Sequence, residues 1–222
     1  MIYIELCYNN IGDIVEVFLS KLMEKENKYA DLAYIAKIGE KPIMLTAVHT
    51  MMQIKDDSSI KYSEPFTKAI ALYVAEAVNC SYLIKNKDTG VDPNASWDDS
   101  FKNMLLENIK DNNIKLVIDL HGAKKEREFD VELGNLNNLS TDYATINELI
   151  DAFNEQGIFK IEVNSPFKGG AITQKVYAET NCEAIQIEIN AAYRNINEPT
   201  KIKAICDALI AFINQFNDII ER

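Results

Sequence analysis

The strongest constraint on the fold is an alternation of short β-rich runs with longer segments of helical period. Apolar, β-favouring runs fall at 33–38, 43–48, 82–84, 116–120, 159–163 and 184–189. Between them lie stretches whose apolar residues recur every three or four positions. In 63–78, Phe66, Ile70, Val74 and Val78 form one such stripe, with Ser63 as an N-cap candidate and Pro65 in the first turn. Segments 12–28, 98–108, 145–156 and 200–220 follow the same pattern, the last through Ile202, Ile205, Leu209, Phe212, Ile213 and Phe216. The expected fold is α/β: a mixed, mainly parallel sheet flanked by helices. The first two runs are separated only by Lys37-Ile38-Gly39-Glu40-Lys41-Pro42, which suggests an antiparallel hairpin at one side of the sheet. No repeat, low-complexity tract or Pro/Gly/Ser-rich linker divides the chain, so residues 1–222 read as one domain.

Composition narrows the function. The 222 residues carry a net charge of −11, and Lys and Arg are scattered along the chain. A polyanion would be repelled, so nucleic acid and anionic membrane surfaces are not expected partners. A small molecule is, even an anionic one, because a few cations and a metal can dominate a cleft. No apolar run approaches the roughly 20 residues that span a bilayer. The start, MIYIELCYNNIGD, lacks the basic region and cleavage site of a signal peptide, which favours a cytoplasmic location. Cys7, Cys80, Cys182 and Cys206 are far apart and read as reduced, buried thiols. Nothing in the sequence speaks to oligomeric state.

The chain has two histidines, and their settings match. The run 43–48 leads straight into His49, and the run 116–120 leads straight into His121 and Gly122. Both imidazoles are therefore expected at the carboxyl rim of the sheet, where reactive groups of α/β folds gather. If the two strands are neighbours, both rings can reach one ion. A single histidine at a strand end is as often a structural residue, but the paired placement favours metal. A catalytic zinc site needs a third protein ligand. Asp56, Asp57, Glu64 and Asp119 are the candidates. Asp119 suits a role orienting a ligand better than ligation itself. Glu64 serves equally well as a ligand or as an acid favoured by a helix dipole.

Two more stretches stand out. Lys168-Gly169-Gly170 follows a strand, and its glycines let backbone N–H groups approach an anion, although a tight turn explains them too. In 184–190 the alternation puts Gln186, Glu188 and Asn190 on one face of a strand. A carboxylate in a core-like strand is costly unless it is used, and Glu188 is placed to act as a proton-transferring base beside a metal. Arg194 could meet a substrate carboxylate or sit on the surface.

These motifs together resemble the N-formylglutamate amidohydrolases. The resemblance is carried by His49 after its strand, Ser63-Glu64-Pro65-Phe66-Thr67, Asp119-Leu120-His121-Gly122, the segment from Phe167 to Thr173, and Gln186-Ile187-Glu188-Ile189-Asn190. The order His, acid, His, late Glu is also distantly similar to zinc carboxypeptidases and aspartoacylases. The resemblance spans about Pro42 to Arg194 and leaves residues 1–40 outside. It implies a zinc-carboxypeptidase-like fold and one zinc ion per chain (another divalent metal would also suit the ligands). The implied ligands are His49, Glu64 and His121, with Glu188 as general base and acid. Lys168, Gly169, Gly170, Thr173, Asn94 and Arg194 become candidate substrate-binding residues. The implied reaction is hydrolysis of an N-formyl or N-acyl amide on a small carboxylate-bearing substrate such as N-formylglutamate. The alternatives are a peptidase or acylase of other specificity, or a non-catalytic protein that keeps the fold and binds metal or a small molecule. The family usually has Asp-Leu-Asn-Arg where this chain has Asp92-Pro93-Asn94-Ala95, and often Arg where it has Gln174. Two guanidinium groups are therefore missing, and lysine does not reproduce their bidentate geometry. Lys124, Lys125, Arg127, Lys168 and Arg194 are the cations left to compensate.

Overall fold

A computed structural model describes residues 2–28, 31–54 and 59–220, with backbone alone for 2–13 and 217–220. Asp56 and Asp57 lie outside the described residues, as does the side chain of Cys7. The chain runs α1 (Ile2–Glu26), β1 (Tyr34–Lys37), β2 (Lys41–Ala47), β3 (Gln53–Ile54), β4 (Ile60–Lys61), α2 (Thr67–Val78) and β5 (Cys80–Lys85). It continues through α3 (Ser100–Asp111), β6 (Leu116–Ala123), β7 (Val131–Gly134), α4 (Tyr143–Glu155) and β8 (Ile161–Val163), then α5 (Ala171–Glu179), β9 (Glu183–Asn190) and α6 (Pro199–Ile220).

Seven strands form one sheet in the order β1-β5-β2-β6-β9-β7-β8, and β3 pairs with β4 in a separate short ribbon. The central strands β5, β2, β6 and β9 run parallel, while β1 and β7 are antiparallel to their inner neighbours. The mixed, mainly parallel sheet is thus the one expected from the sequence. One core joins Ile43, Leu45, Ile118, Leu120, Ile185 and Ile187 to residues of α1, α2, α4 and α6. On the other face Met44, Val48, Val117 and Ala184 pack against α3 and α5.

The expected hairpin between the first two runs does not form. β5 lies between β1 and β2, pairing with both. The turn is held open for it, because Glu40 and Lys41 both donate their backbone N–H to Asn79 O, at 2.8 and 3.2 Å. Four short elements were not expected, β3, β4, β7 and α5, each too brief to stand out by period.

α2 also begins later than the sequence suggests. Its N-cap is Phe66, in the left-handed region at φ 68, and Ser63 and Glu64 precede the helix. Tertiary contacts override the local start signals here. Glu64 N donates to His49 O at 2.7 Å, and Thr67 Oγ1 donates to Glu64 O at 2.8 Å. The free N–H groups of the first turn are met from α1, where Glu26 accepts from Phe66 N at 3.0 Å and from Ala69 N at 3.3 Å. Glu64 is therefore held in a pinned loop.

Register decides which polar groups meet. Thr46 pairs with Asp119, Asp119 with Gln186, His121 with Glu188, and Glu188 with Glu132. Paired residues share a face, so these six side chains form a buried polar band across β2, β6, β9 and β7. Cys80, Cys182 and Cys206 are buried free thiols, and burial pushes the first two up to about 12. Among the described residues no helix is long and apolar enough to cross a membrane.

Candidate metal centre

His49 follows the end of β2 and His121 lies within β6, with 3% and 1% of their surfaces exposed. The pinned loop brings Glu64 to them. His49 Nδ1 is 3.0 Å from Glu64 Oε1, His121 Nδ1 is 3.3 Å from Glu64 Oε2, and the two Nδ1 atoms are 3.1 Å apart. The ligand atoms of these three residues lie within 4.8 Å of one another.

The far side of each ring fixes what the near side can do. His49 Nε2 lies 2.9 Å from Asp92 Oδ1, and His121 Nε2 lies 2.8 Å from Asp119 Oδ2. Ionised carboxylates only accept, so both rings carry a proton on Nε2. Thr46 Oγ1 steadies Asp119 by donating to its Oδ1 at 2.7 Å. Both Nδ1 lone pairs and the Glu64 carboxylate then face one another, three acceptors that can share a point only around a cation. The donor set fits a divalent metal. A proton is the alternative cation. Burial opposes charge on His121, yet Asp119 and Glu64 outweigh it and hold the imidazole well above its ordinary value. Burial would likewise raise the Glu64 carboxyl, but hydrogen bonds to His121 and His49 hold it far below the usual carboxylate range.

Glu188 stands beside this cluster as the cross-strand partner of His121. Burial is the main force holding its carboxyl above the ordinary range, with the charge of Glu64 adding to it and His121 opposing. Gln186 Nε2 donates to Glu188 Oε1 at 2.7 Å. On the other side Glu132 is fully buried, with Oε1 accepting from Ser165 N at 3.1 Å. Burial, and then the charge of Glu188, push Glu132 up to about 8. Its folded value lies above its unfolded one, so the native state binds the extra proton. Stability from this group is full below the ordinary carboxylate range and is lost as pH rises through about 8. Glu132→Gln is expected to flatten that decline, giving a higher melting temperature than the parent at pH 8.5 and little difference at pH 5. Parallel melting curves for the two proteins across that range would refute the assignment.

A cleft of about 460 Å³ opens over the cluster, lined also by Glu188, Gln186, Asn94, Lys61 and the segment from Pro166 to Gly170. Lys61 Nζ donates to Glu64 Oε1 at 2.8 Å. Larger clefts of about 550 and 520 Å³ lie around Cys182 at the start of β9, away from the cluster.

The other candidate residues divide. Lys168, Gly169, Gly170 and Asn94 line the cleft. At Gly170 a Cβ would fall 1.9 Å from Asn94 Oδ1, so only glycine leaves room for that carboxamide. Thr173 is buried in the first turn of α5 and does not line the cleft. Arg194 lies behind the site. Its Nε, Nη1 and Nη2 donate to Ile189 O, Pro65 O and Ala123 O at 3.0, 2.6 and 3.1 Å. Its guanidinium fills the space over Gly122, where a Cβ would come within 2.3 Å of Cζ. Arg127 stacks over the Phe167 ring at 5.1 Å, and neither it nor Lys124 nor Lys125 lines the cleft. Sequence reasoning missed Asp92 as a partner of His49, Lys61, and Glu132. The Asp92-Pro93-Asn94 loop was the one available signal for the first. The other two needed the register and the ribbon.

The fold is one shared by amidohydrolases and metallo-carboxypeptidases. The crystal structure of N-formylglutamate amidohydrolase from Ralstonia eutropha JMP134 superposes with a TM-score of 0.67 at 14% identity, covering 84% of this chain and 99% of that one. A bacteriophage poly-gamma-glutamate hydrolase gives 0.57 at 16% identity, over 86% and 93% of the two chains. A metallo-carboxypeptidase from Burkholderia cenocepacia gives 0.53 at 13%, over 90% and 68%. No curated protein matches the chain in sequence. Residues 95–193 match the family model described as N-formylglutamate amidohydrolase, a stretch that holds His121, the Lys168-Gly169-Gly170 loop and Glu188 but begins after His49 and Glu64. The resemblance read from the motifs is therefore present, and the family match together with the fold supports a hydrolytic enzyme.

Proposed function

We propose that this protein is a zinc-dependent amidohydrolase that cleaves an N-formyl or N-acyl amide of a small carboxylate-bearing molecule such as N-formylglutamate, in the cytoplasm. The observation that carries the reading is the convergence of two imidazole Nδ1 atoms and a carboxylate, each ring backed by its own aspartate, next to a buried glutamate. His49, Glu64 and His121 would hold the metal, with Asp92 and Asp119 fixing the tautomers. Zinc, when bound, lowers the pKa of water toward ~7 and polarises a carbonyl.

Glu188 supplies the proton transfer. Gln186 occupies its Oε1, leaving Oε2 to take a proton from the attacking water. As the C–N bond breaks, the same oxygen returns that proton to the departing nitrogen. A raised carboxyl suits both duties, since burial makes it a stronger base than an ordinary glutamate. The backbone of Lys168, Gly169 and Gly170 and the Asn94 carboxamide border the space where the rest of the substrate would lie.

The cleft favours a second reading on specificity. Ala95 and Gln174 stand where guanidinium groups were expected, and Arg194 is spent on carbonyls. An acylase or peptidase acting on a less acidic substrate fits that loss. The test has two parts. Elemental analysis of protein purified without added metal is expected to give one zinc per chain, and formyl-, acetyl- and γ-glutamyl-amino acids are then assayed side by side. Metal without hydrolysis of any of these amides would replace the enzyme reading with that of a metal-binding protein.

A further inference from the structure

The cleft over the ligand cluster holds few cations. Among its described lining residues the lysine and arginine side chains are Lys61 and Lys168 alone. They are not equivalent. Lys168 is exposed on the wall segment, and its backbone O is held by Leu136 N at 2.6 Å. Lys61 stands at the cluster itself. Its ammonium is anchored to Glu64 Oε1 at 2.8 Å, the same oxygen that lies 3.0 Å from His49 Nδ1. It comes from β4 of the short ribbon, and its side chain is 31% exposed, so it is reachable from the cleft.

An ammonium has three donors, and Glu64 uses one. The others are left at the rim of the ligand cluster, where a scissile carbonyl oxygen must sit if the proposed function is right. We propose that Lys61 is the residue that binds this oxygen and stabilises the negative charge it gains on attack. The inference rests on the hydrolase reading. It assigns the two lysines different work: Lys61 meets the oxyanion, and Lys168 is left for a carboxylate at the mouth of the cleft. A preorganised cation beside a buried cluster is worth far more than one in water.

The test needs no knowledge of the substrate. Protein loaded with cobalt(II) is titrated with methylphosphonate, a small tetrahedral oxyanion, and binding is read from the visible spectrum of the metal. The parent protein is expected to bind it, Lys61→Met to bind about 10- to 100-fold more weakly, and Lys61→Arg to stay within about fivefold because the charge is kept. Metal content, measured separately, should be equal in all three. Lys61→Met binding within about threefold of the parent, or a parent that holds metal and ignores the anion, overturns the inference while sparing the hydrolase reading. So does a loss of metal in Lys61→Met, which would make the lysine a support for Glu64. A parent protein that holds no metal sinks the hydrolase reading itself.

Discussion

Glu188→Gln should lower turnover by roughly 10²- to 10⁴-fold while leaving metal content unchanged. The amide is close to isosteric with the carboxyl, and Glu188 is not among the three converging ligands, so binding of the ion should survive. The substitution also removes a buried carboxylate whose ionisation burial already disfavours, so the variant should be no less stable than its parent. In the parent, the acid limb of the rate profile should lie above the ordinary glutamate range, and in the variant that limb should vanish. Full activity in the variant, or loss of its metal, would remove Glu188 from the role of base.

His121→Ala should abolish both metal binding and activity. It deletes one Nδ1 ligand and leaves Asp119 buried with Thr46 as its remaining partner, which adds a stability cost of its own. The cleanest readout is the effect of metal on melting. An ion that binds only the folded state, at about 100 times its dissociation constant, adds roughly 2.7 kcal/mol, which in a chain of this size corresponds to about 5–10 °C. The parent should gain that increment from zinc and lose it to a chelator. The variant should respond to neither. An equal zinc-dependent gain in both proteins would show that the ion binds elsewhere.

Much of this arrangement was visible in the sequence because periodicity, and the placing of a residue along its strand, are local properties. The runs leading into His49 and His121 read as strands of one mainly parallel sheet, which the structure makes neighbours, and alternation along 184–190 put Gln186 and Glu188 on one face. What stayed hidden depends on partners far away in the chain. Nothing near residue 132 says that it lies opposite Glu188, and nothing near residue 64 says that His49 O will pull it out of the helix. The hairpin expectation failed for the same reason: a short turn signal such as that between Lys37 and Pro42 cannot report that a third strand will pass between its arms. Arg194 misled in the opposite sense, since a guanidinium near a site reads as a substrate contact until the carbonyls that occupy it are seen.

The cross-strand pairing of His121 with Glu188 has a consequence for how such a chain can change its diet. Adjacent strands sit about 4.8 Å apart whatever their side chains, so the spacing of His121 and Glu188 is fixed by the backbone. Other parts of the cleft wall, Asn94 and Pro166 to Gly170, come instead from connecting segments that no ladder constrains. Residues of those segments could therefore change over generations with the spacing of His121 and Glu188 unaltered, and selectivity and chemistry could drift independently.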